Sequence, residues 1–195
     1  MPLASLLVAV ALAAPAAERP AEWAQPVTVA GVKNLHRITP FLYRSEQPTK
    51  AGMANLEKFG IKTVIDLRAF HTDRAELKGT KLASVDLAIK TWRIEDAHVV
   101  TVLKALRAKE NGPFLIHCLH GADRTGVMSA MYRIVEQGWT KEAALREMRE
   151  GGYGYHPMWK NIVRYVEKAD VEALRDDVAK GGAGAQRQLE GHPDK

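Results

Sequence analysis

The sequence predicts an α/β domain: a short, mostly parallel sheet flanked by helices, with a helical C-terminal part. Two observations carry that expectation. β-Branched, apolar runs at 63–68, 83–89 and 114–116 are separated by stretches in which apolar residues recur at helical spacing. From about Thr125 onward the spacing is helical alone. The chain has 195 residues, 46% of them apolar, which suits one domain with a sizeable core. Ligands of such sheets bind beyond the carboxyl ends of the strands, so the residues that follow these runs are where chemistry is expected.

Taken in order, residues 3–14 are an unbroken apolar run without charge, too short for a bilayer span of roughly 20 residues. Ala14-Pro15-Ala16 follows as an A-x-A cleavage site. Residues 1–17 therefore read as a signal peptide and the protein as exported, although no Lys or Arg precedes the run. Residues 18–30 form an irregular lead-in. Residues 35–39 and 41–45 read as two short strands broken by Pro40. Thr49 is the expected N-cap of a helix with Met53, Leu56 and Phe59 near one face, and Gly60 ends it. The strand at 63–68 is apolar enough to be buried on both faces. Residues 69–81 read as loop, and 83–89 as the next strand. A helix then begins near Glu95 or Asp96, with Val99, Val102, Leu103 and Leu106 inward.

The strand at 114–116 runs into His117-Cys118. The helix after it extends to Gln137, with Val127, Met128, Met131, Ile134 and Val135 inward, and Gly138 closes it. Thr140 caps a helix that ends at Gly151-Gly152. Pro157 suits the first turn of another, on which Ile162, Val163 and Val166 face in. Residues 180–195 are Gly-rich and polar and read as a disordered tail. The net charge of +5 is spread along the chain, so no nucleic-acid partner is expected, nor stable membrane insertion once the signal is removed; a monomer is the expectation.

Cys118 is the chain's one cysteine, so it forms no internal disulfide. It opens the segment His117-Cys118-Leu119-His120-Gly121-Ala122-Asp123-Arg124-Thr125-Gly126. That segment joins a strand to a helix N-terminus, where unpaired amides and the dipole gather anions. Gly121 permits the backbone angles by which successive amides converge on one centre. The same field favours the thiolate of Cys118. Arg124, six residues on, carries a planar fork able to hold two phosphate oxygens. The chemistry that follows is attack of sulfur on phosphorus, a phosphocysteine, and its hydrolysis. Thr125 is expected to donate its hydroxyl to the Cys118 sulfur and ease its departure. Neither metal nor cofactor is expected: His117 and His120 lack further ligands at a usable spacing.

The pattern His-Cys-x5-Arg-Ser/Thr-Gly resembles the signature loop of the protein tyrosine phosphatase superfamily. Tyr43-Arg-Ser-Glu-Gln-Pro48, Thr63-Val-Ile-Asp-Leu-Arg68, Met131-Tyr-Arg-Ile-Val-Glu-Gln-Gly-Trp139 and Glu147-Met-Arg-Glu-Gly-Gly-Tyr153 extend the likeness to bacterial dual-specificity phosphatases, among them the periplasmic, biofilm-regulating type of Pseudomonas. The likeness covers about residues 23–175. It implies a dual-specificity phosphatase domain over 23–178, the compact cysteine-phosphatase fold, a periplasmic location and a metal-free mechanism. Cys118 carries over as nucleophile and Arg124 as phosphate binder. These enzymes place an acid on a loop ahead of the helix at 95–109, where this chain has Trp92. Asp96 is one alternative acid. Asp123 is another, since phosphoinositide phosphatases of the myotubularin and Sac types also carry Asp-Arg-Thr here.

The expected substrate is a phosphorylated protein or small phosphate ester: phosphotyrosine, with phosphoserine and phosphothreonine. Inositol phosphates or phosphoinositides are the alternative within the class, and a phosphate-binding module without turnover is the alternative outside it. Around the loop, His117 is expected to brace the backbone and His120 to face outward. Arg44 and Arg68 are expected to pair with Glu46 and Asp66, and Lys90 and Arg93 to be solvated charge. Tyr153, Tyr155, His156 and Trp159 are expected to pack in the core.

Overall fold

Three strands, β1 (Gln25–Pro26), β2 (His36–Thr39) and β3 (Leu42–Ser45), pair antiparallel in succession. β3 then pairs in parallel with β6 (Phe114–His117), β6 with β4 (Thr63–Arg68), and β4 with β5 (Ala83–Ile89). The sheet order is β1-β2-β3-β6-β4-β5 in this computed structural model, which describes residues 18–180. The expected signal peptide and all but the first residue of the expected tail lie outside those residues. No helix among the described residues is long and apolar enough to cross a membrane.

Alternation along the central strands divides the core. Val64, Leu115 and Tyr43 face α1 (Lys50–Phe59), where Met53 and Leu56 meet them, with Ile61 just past the helix end. Ile65, Leu67, Phe114, Ile116 and Leu42 face the other way, into a larger cluster with α3 (Asp96–Arg107), α4 (Asp123–Gln137), α5 (Lys141–Glu150), α6 (Lys160–Lys168) and α7 (Val171–Ala179). Strands so enclosed on both faces are apolar throughout, which is why 63–68 and 114–116 stand out in the sequence. The parallel strands β3, β4, β5 and β6 all end at one edge of the sheet. Glu46, Ala69, Lys90 and Cys118 follow them there.

The expected elements are present with local differences. Thr49 and Thr140 cap their helices, each side chain accepting from an amide three residues on. Phe59 is exposed rather than inward, since it lies in the last turn of α1. One helical turn, α2 (Arg74–Leu77), interrupts the expected loop at 69–81 and is too short to show a period. α4 begins at Asp123, two residues earlier than its apolar stripe suggests. α6 begins at Lys160, after a turn through Pro157 and Met158. β1 is an edge strand of two residues, tolerant of Pro26 and invisible to periodicity.

Candidate active site

The loop from Cys118 to Ala122 is held from behind by three donors. The Gln47 amide donates to the Leu119 carbonyl (3.3 Å), Asn34 Nδ2 to the His120 carbonyl (3.0 Å) and Arg44 Nη2 to the Gly121 carbonyl (2.7 Å). In a planar trans peptide the carbonyl and the following N–H point opposite ways. With the carbonyls of 119, 120 and 121 drawn outward, the amides of 120, 121 and 122 turn inward, toward one concavity. Gly121 has φ +67, and a Cβ there would lie 2.4 Å from the carbonyl group of Ser45, so no larger residue fits. Helix α4 follows at once and adds its N-terminal amides.

Cys118 is buried at the start of this cradle, on the face that packs against α4. Arg124 lies in the first turn of α4. Its Nη1 reaches the Ile89 carbonyl at the end of β5 (3.4 Å), and its Nε is buried without a partner, leaving most of its donors for an oxyanion. Thr125 is fully buried, and its Oγ1 has no hydrogen-bond partner, so the bond expected to the Cys118 sulfur is not formed. Ala122 and Gly126 are buried. A Cβ at Gly126 would meet Met148 at 3.0 Å, so Gly126 lets α5 approach. Leu119 and His120 face outward.

Arg44 corrects the expected pairing with Glu46, whose carboxylate instead lies 3.8 Å from Lys33 Nζ. Its guanidinium is 1% exposed and stacks 3.7 Å over the Tyr153 ring. Burial lowers its affinity for a proton, while Tyr153, Glu147 and Cys118 are near enough to raise it. Strand alternation explains the correction, since residue 44 points into the α4 side of the sheet with Leu42. Tyr153 Oη in turn donates to Glu147 (3.0 Å), and Glu147 is clamped by Arg133 through Nε (2.9 Å) and Nη2 (3.0 Å). Burial raises the Tyr153 phenol to about 12.

His117 braces the loop through a side chain rather than the backbone. Its Nε2 lies 2.6 Å from Asp73 Oδ2, and both residues are fully buried. Gln47 Nε2 donates to the other Asp73 oxygen (2.7 Å) while its Oε1 accepts from Arg68 Nη1 (2.9 Å). Arg68 therefore pairs with Gln47, and Asp66 bonds instead to the Arg68 amide and to His71 Nδ1. Burial alone raises the Asp73 carboxyl, but the His117 and Gln47 hydrogen bonds and the nearby histidines outweigh it and hold Asp73 below its ordinary range. Nothing local marks Asp73 in the sequence, because its partner lies 44 residues away.

The two candidate acids sit differently. Asp96 accepts from Tyr165 Oη (2.7 Å) and ties the start of α3 to α6. Asp123 is inside the loop, and both of its oxygens are taken by His156: the amide donates to Oδ1 (3.0 Å), and ring Nδ1 lies 2.8 Å from Oδ2. His156, expected in the core, is exposed at the loop's rim, and its ring centroid lies 5.4 Å from that of His120. Ligand-type atoms of His120, Asp123 and His156 lie within 4.8 Å of one another, as do those of Asp66, His71 and Asp73. His120 thus has neighbours that spacing alone does not reveal, and both groups are already bonded internally. Tyr153 is in the core, with Tyr155 and Trp159 packed against it.

Exposed apolar side chains stand at the same edge of the sheet: Phe70 after β4, Trp92 after β5 and Leu119 after β6. Phe70 holds φ +64, an unusual backbone for a bulky residue, with its ring 87% exposed. Lys90 Nζ lies 6.0 Å above that ring, and Arg93 pairs with Glu95 (2.8 Å).

Residues 25–158 match the family described as DSP-PTPase phosphatase fused to NAD+ kinase. The chain is 43% identical over 173 residues to the dual specificity protein phosphatase TpbA of Pseudomonas aeruginosa strain UCBPP-PA14, spanning 88% of this chain and 78% of that protein. The crystal structure of P. aeruginosa TpbA superposes with a TM-score of 0.75 at 41% identity, over 84% of this chain and all of that one. A cysteine-to-serine TpbA crystallised in complex with pTyr gives 0.76 at the same identity and coverage. The catalytic core of the PP-IP phosphatase SIW14 from S. cerevisiae shares the fold, with a TM-score of 0.68 at 20% identity over 83% of this chain and 98% of that one.

Proposed function

We propose, since the chain belongs to the DSP-PTPase family and is a cysteine-type phosphoric monoester hydrolase, that it dephosphorylates phosphotyrosine in proteins through a phosphocysteine on Cys118. The observation that carries the mechanism is the cradle: inward amides at 120–122, held by Gln47, Asn34 and Arg44 around the buried Cys118. The amides and Arg124 hold the equatorial oxygens of the phosphoryl group, and the thiolate attacks in line from below. Sulfur takes phosphorus, the ester oxygen leaves with its electron pair, and water then displaces the sulfur. Thr125, unpartnered beneath the loop, has a free hydroxyl to offer the departing thiolate.

The rim supports the choice of substrate. Phe70, Trp92 and Leu119 offer exposed apolar surface at the edge of the sheet that carries the loop, which suits a phenyl ring better than a polyhydroxylated one. That TpbA has been crystallised with pTyr agrees with this choice. One observation favours inositol phosphates as a second reading. A cavity of about 480 Å³, with Tyr155 and Pro157 on either side of His156 in its wall, sets Arg149, Lys160 and Arg164 against the single carboxylate of Glu167, a net positive lining for a second phosphate.

A panel of phosphotyrosine, phosphoserine and phosphothreonine peptides and inositol phosphates tests the assignment. The highest kcat/KM belongs to the phosphotyrosine peptide on the first reading and to a multiply phosphorylated inositol on the second. Cys118→Ser abolishes turnover and keeps phosphate binding. Measurable hydrolysis by Cys118→Ser contradicts the mechanism, and no turnover of any ester by the wild type contradicts the function.

A further inference from the structure

The turn after β5 carries Trp92, exposed at the edge of the sheet where the loop lies and without a proton to supply. The carboxylates of Asp73, Asp96 and Asp123 are committed. Asp73 lies behind the loop against His117 and Gln47, and Asp96 is bound to Tyr165. Asp123 is 6% exposed, and both of its oxygens accept from His156. A carboxylate with both oxygens engaged by one neighbour is poorly placed to donate a proton elsewhere.

His156 differs from all of these. Its side chain is 46% exposed, it stands on the loop's rim between His120 and Asp123, and it is fixed there twice, by its backbone amide and by Nδ1. With Nδ1 directed at Asp123, Nε2 is the free ring atom on the solvent side. Histidine is the side chain that exchanges a proton most readily near neutrality. A carboxylate on one ring nitrogen, with the other left free to exchange a proton, is the arrangement by which a buried acid orients an imidazole.

Resting on the phosphatase reading, we infer that His156 is the proton donor to the leaving group, and that Asp123 is a positioning residue which holds it. In the first step the Cys118 thiolate forms the S–P bond as the P–O bond breaks. The electron pair stays on the ester oxygen, which takes the Nε2 proton of the imidazolium and leaves as alcohol or phenol. The imidazole that remains is neutral, with its Nδ1 proton kept on the ring and hydrogen-bonded to Asp123. In the second step water forms the new P–O bond and gives a proton to Nε2, the S–P bond breaks with its electron pair returning to sulfur, and inorganic phosphate departs. The imidazolium is restored, and atoms and charge balance over the cycle.

The experiment compares a reluctant and an activated leaving group. For His156→Gln, kcat/KM for phenyl phosphate falls by about 100-fold, the lower end of general acid catalysis. The loss for p-nitrophenyl phosphate, whose phenolate leaves unaided, is smaller by about tenfold. His156→Ala recovers activity on phenyl phosphate when free imidazole is added, because a small cation enters the space the ring vacates. Asp123→Asn shows the same leaving-group dependence in weaker form, which a purely structural defect in the loop does not produce. Equal losses on both esters, or no response to imidazole, overturn the inference while leaving the phosphatase assignment intact. Absence of turnover by the wild type on either ester overturns both.

Discussion

Cys118 lies under a cradle whose shape depends on residues on its far side. Arg44 donates a charge-assisted bond to the Gly121 carbonyl, and such bonds contribute about 1.5–3 kcal/mol. Arg44→Met is therefore expected to lower kcat/KM on p-nitrophenyl phosphate by about 10- to 100-fold. A parallel melting curve shows whether the fold persists, and an unchanged rate contradicts the role given to the guanidinium. In the proposed mechanism Arg124 holds the reacting group directly. Arg124→Lys keeps the charge and loses the fork, and a fall in kcat of about 100- to 1,000-fold is expected, the size seen when one oxyanion donor is removed. In the proposed phosphotyrosine reading Phe70 contributes on a softer scale, since an aromatic contact adds about 0.5–1.5 kcal/mol. Phe70→Ala is expected to raise KM for a phosphotyrosine peptide several-fold, with little change in kcat. Equal effects on an inositol phosphate contradict the ring-binding role.

The elements are locked behind the loop by a buried charged pair between α4 and α5. Burial raises the Glu147 carboxyl, but the Arg133 hydrogen bonds and charge, the Ala24 amide and the Tyr153 hydroxyl outweigh it, so its affinity for a proton is below normal in the fold. A carboxyl depressed on folding contributes stability that is fully present above its unfolded value, about 4.3 for glutamate, and is lost as pH falls through the folded value. Asp73 adds to the same trend in the same direction. Glu147→Gln leaves Arg133 buried and uncompensated, at a cost of about 3–5 kcal/mol at neutral pH. Urea unfolding is expected to show that difference at pH 7 and its decline well below pH 4. A gap independent of pH contradicts the depressed carboxyl. The short element α2 has a separate part: by starting just after Asp73 it sets that carboxylate against His117.

At the scale of the molecule, one sheet shared by two apolar faces predicts one cooperative transition. Ile116→Ala on the α4 face and Met53→Ala on the α1 face are each expected to cost about 2–5 kcal/mol and to shift the same calorimetric peak. Two separable peaks contradict a single core. The parallel strands, the capping residues Thr49 and Thr140, and the loop from His117 to Gly126 were legible in the sequence, because period, caps and loop chemistry are local. Arg44, Asn34 and Asp73 were not, because they meet the loop across 77, 86 and 44 residues. His156 was misread as core for the same reason, as its partner Asp123 is 33 residues away. The claim on which the rest depends is covalent: the phosphoryl group passes through the sulfur of Cys118. Rapid denaturing quench of the wild type during turnover of p-nitrophenyl phosphate, followed by peptide mass spectrometry, tests it most directly. The account predicts one phosphoryl group on the peptide that contains Cys118. A phosphoryl group on any other residue, or turnover at full rate by Cys118→Ser, contradicts it.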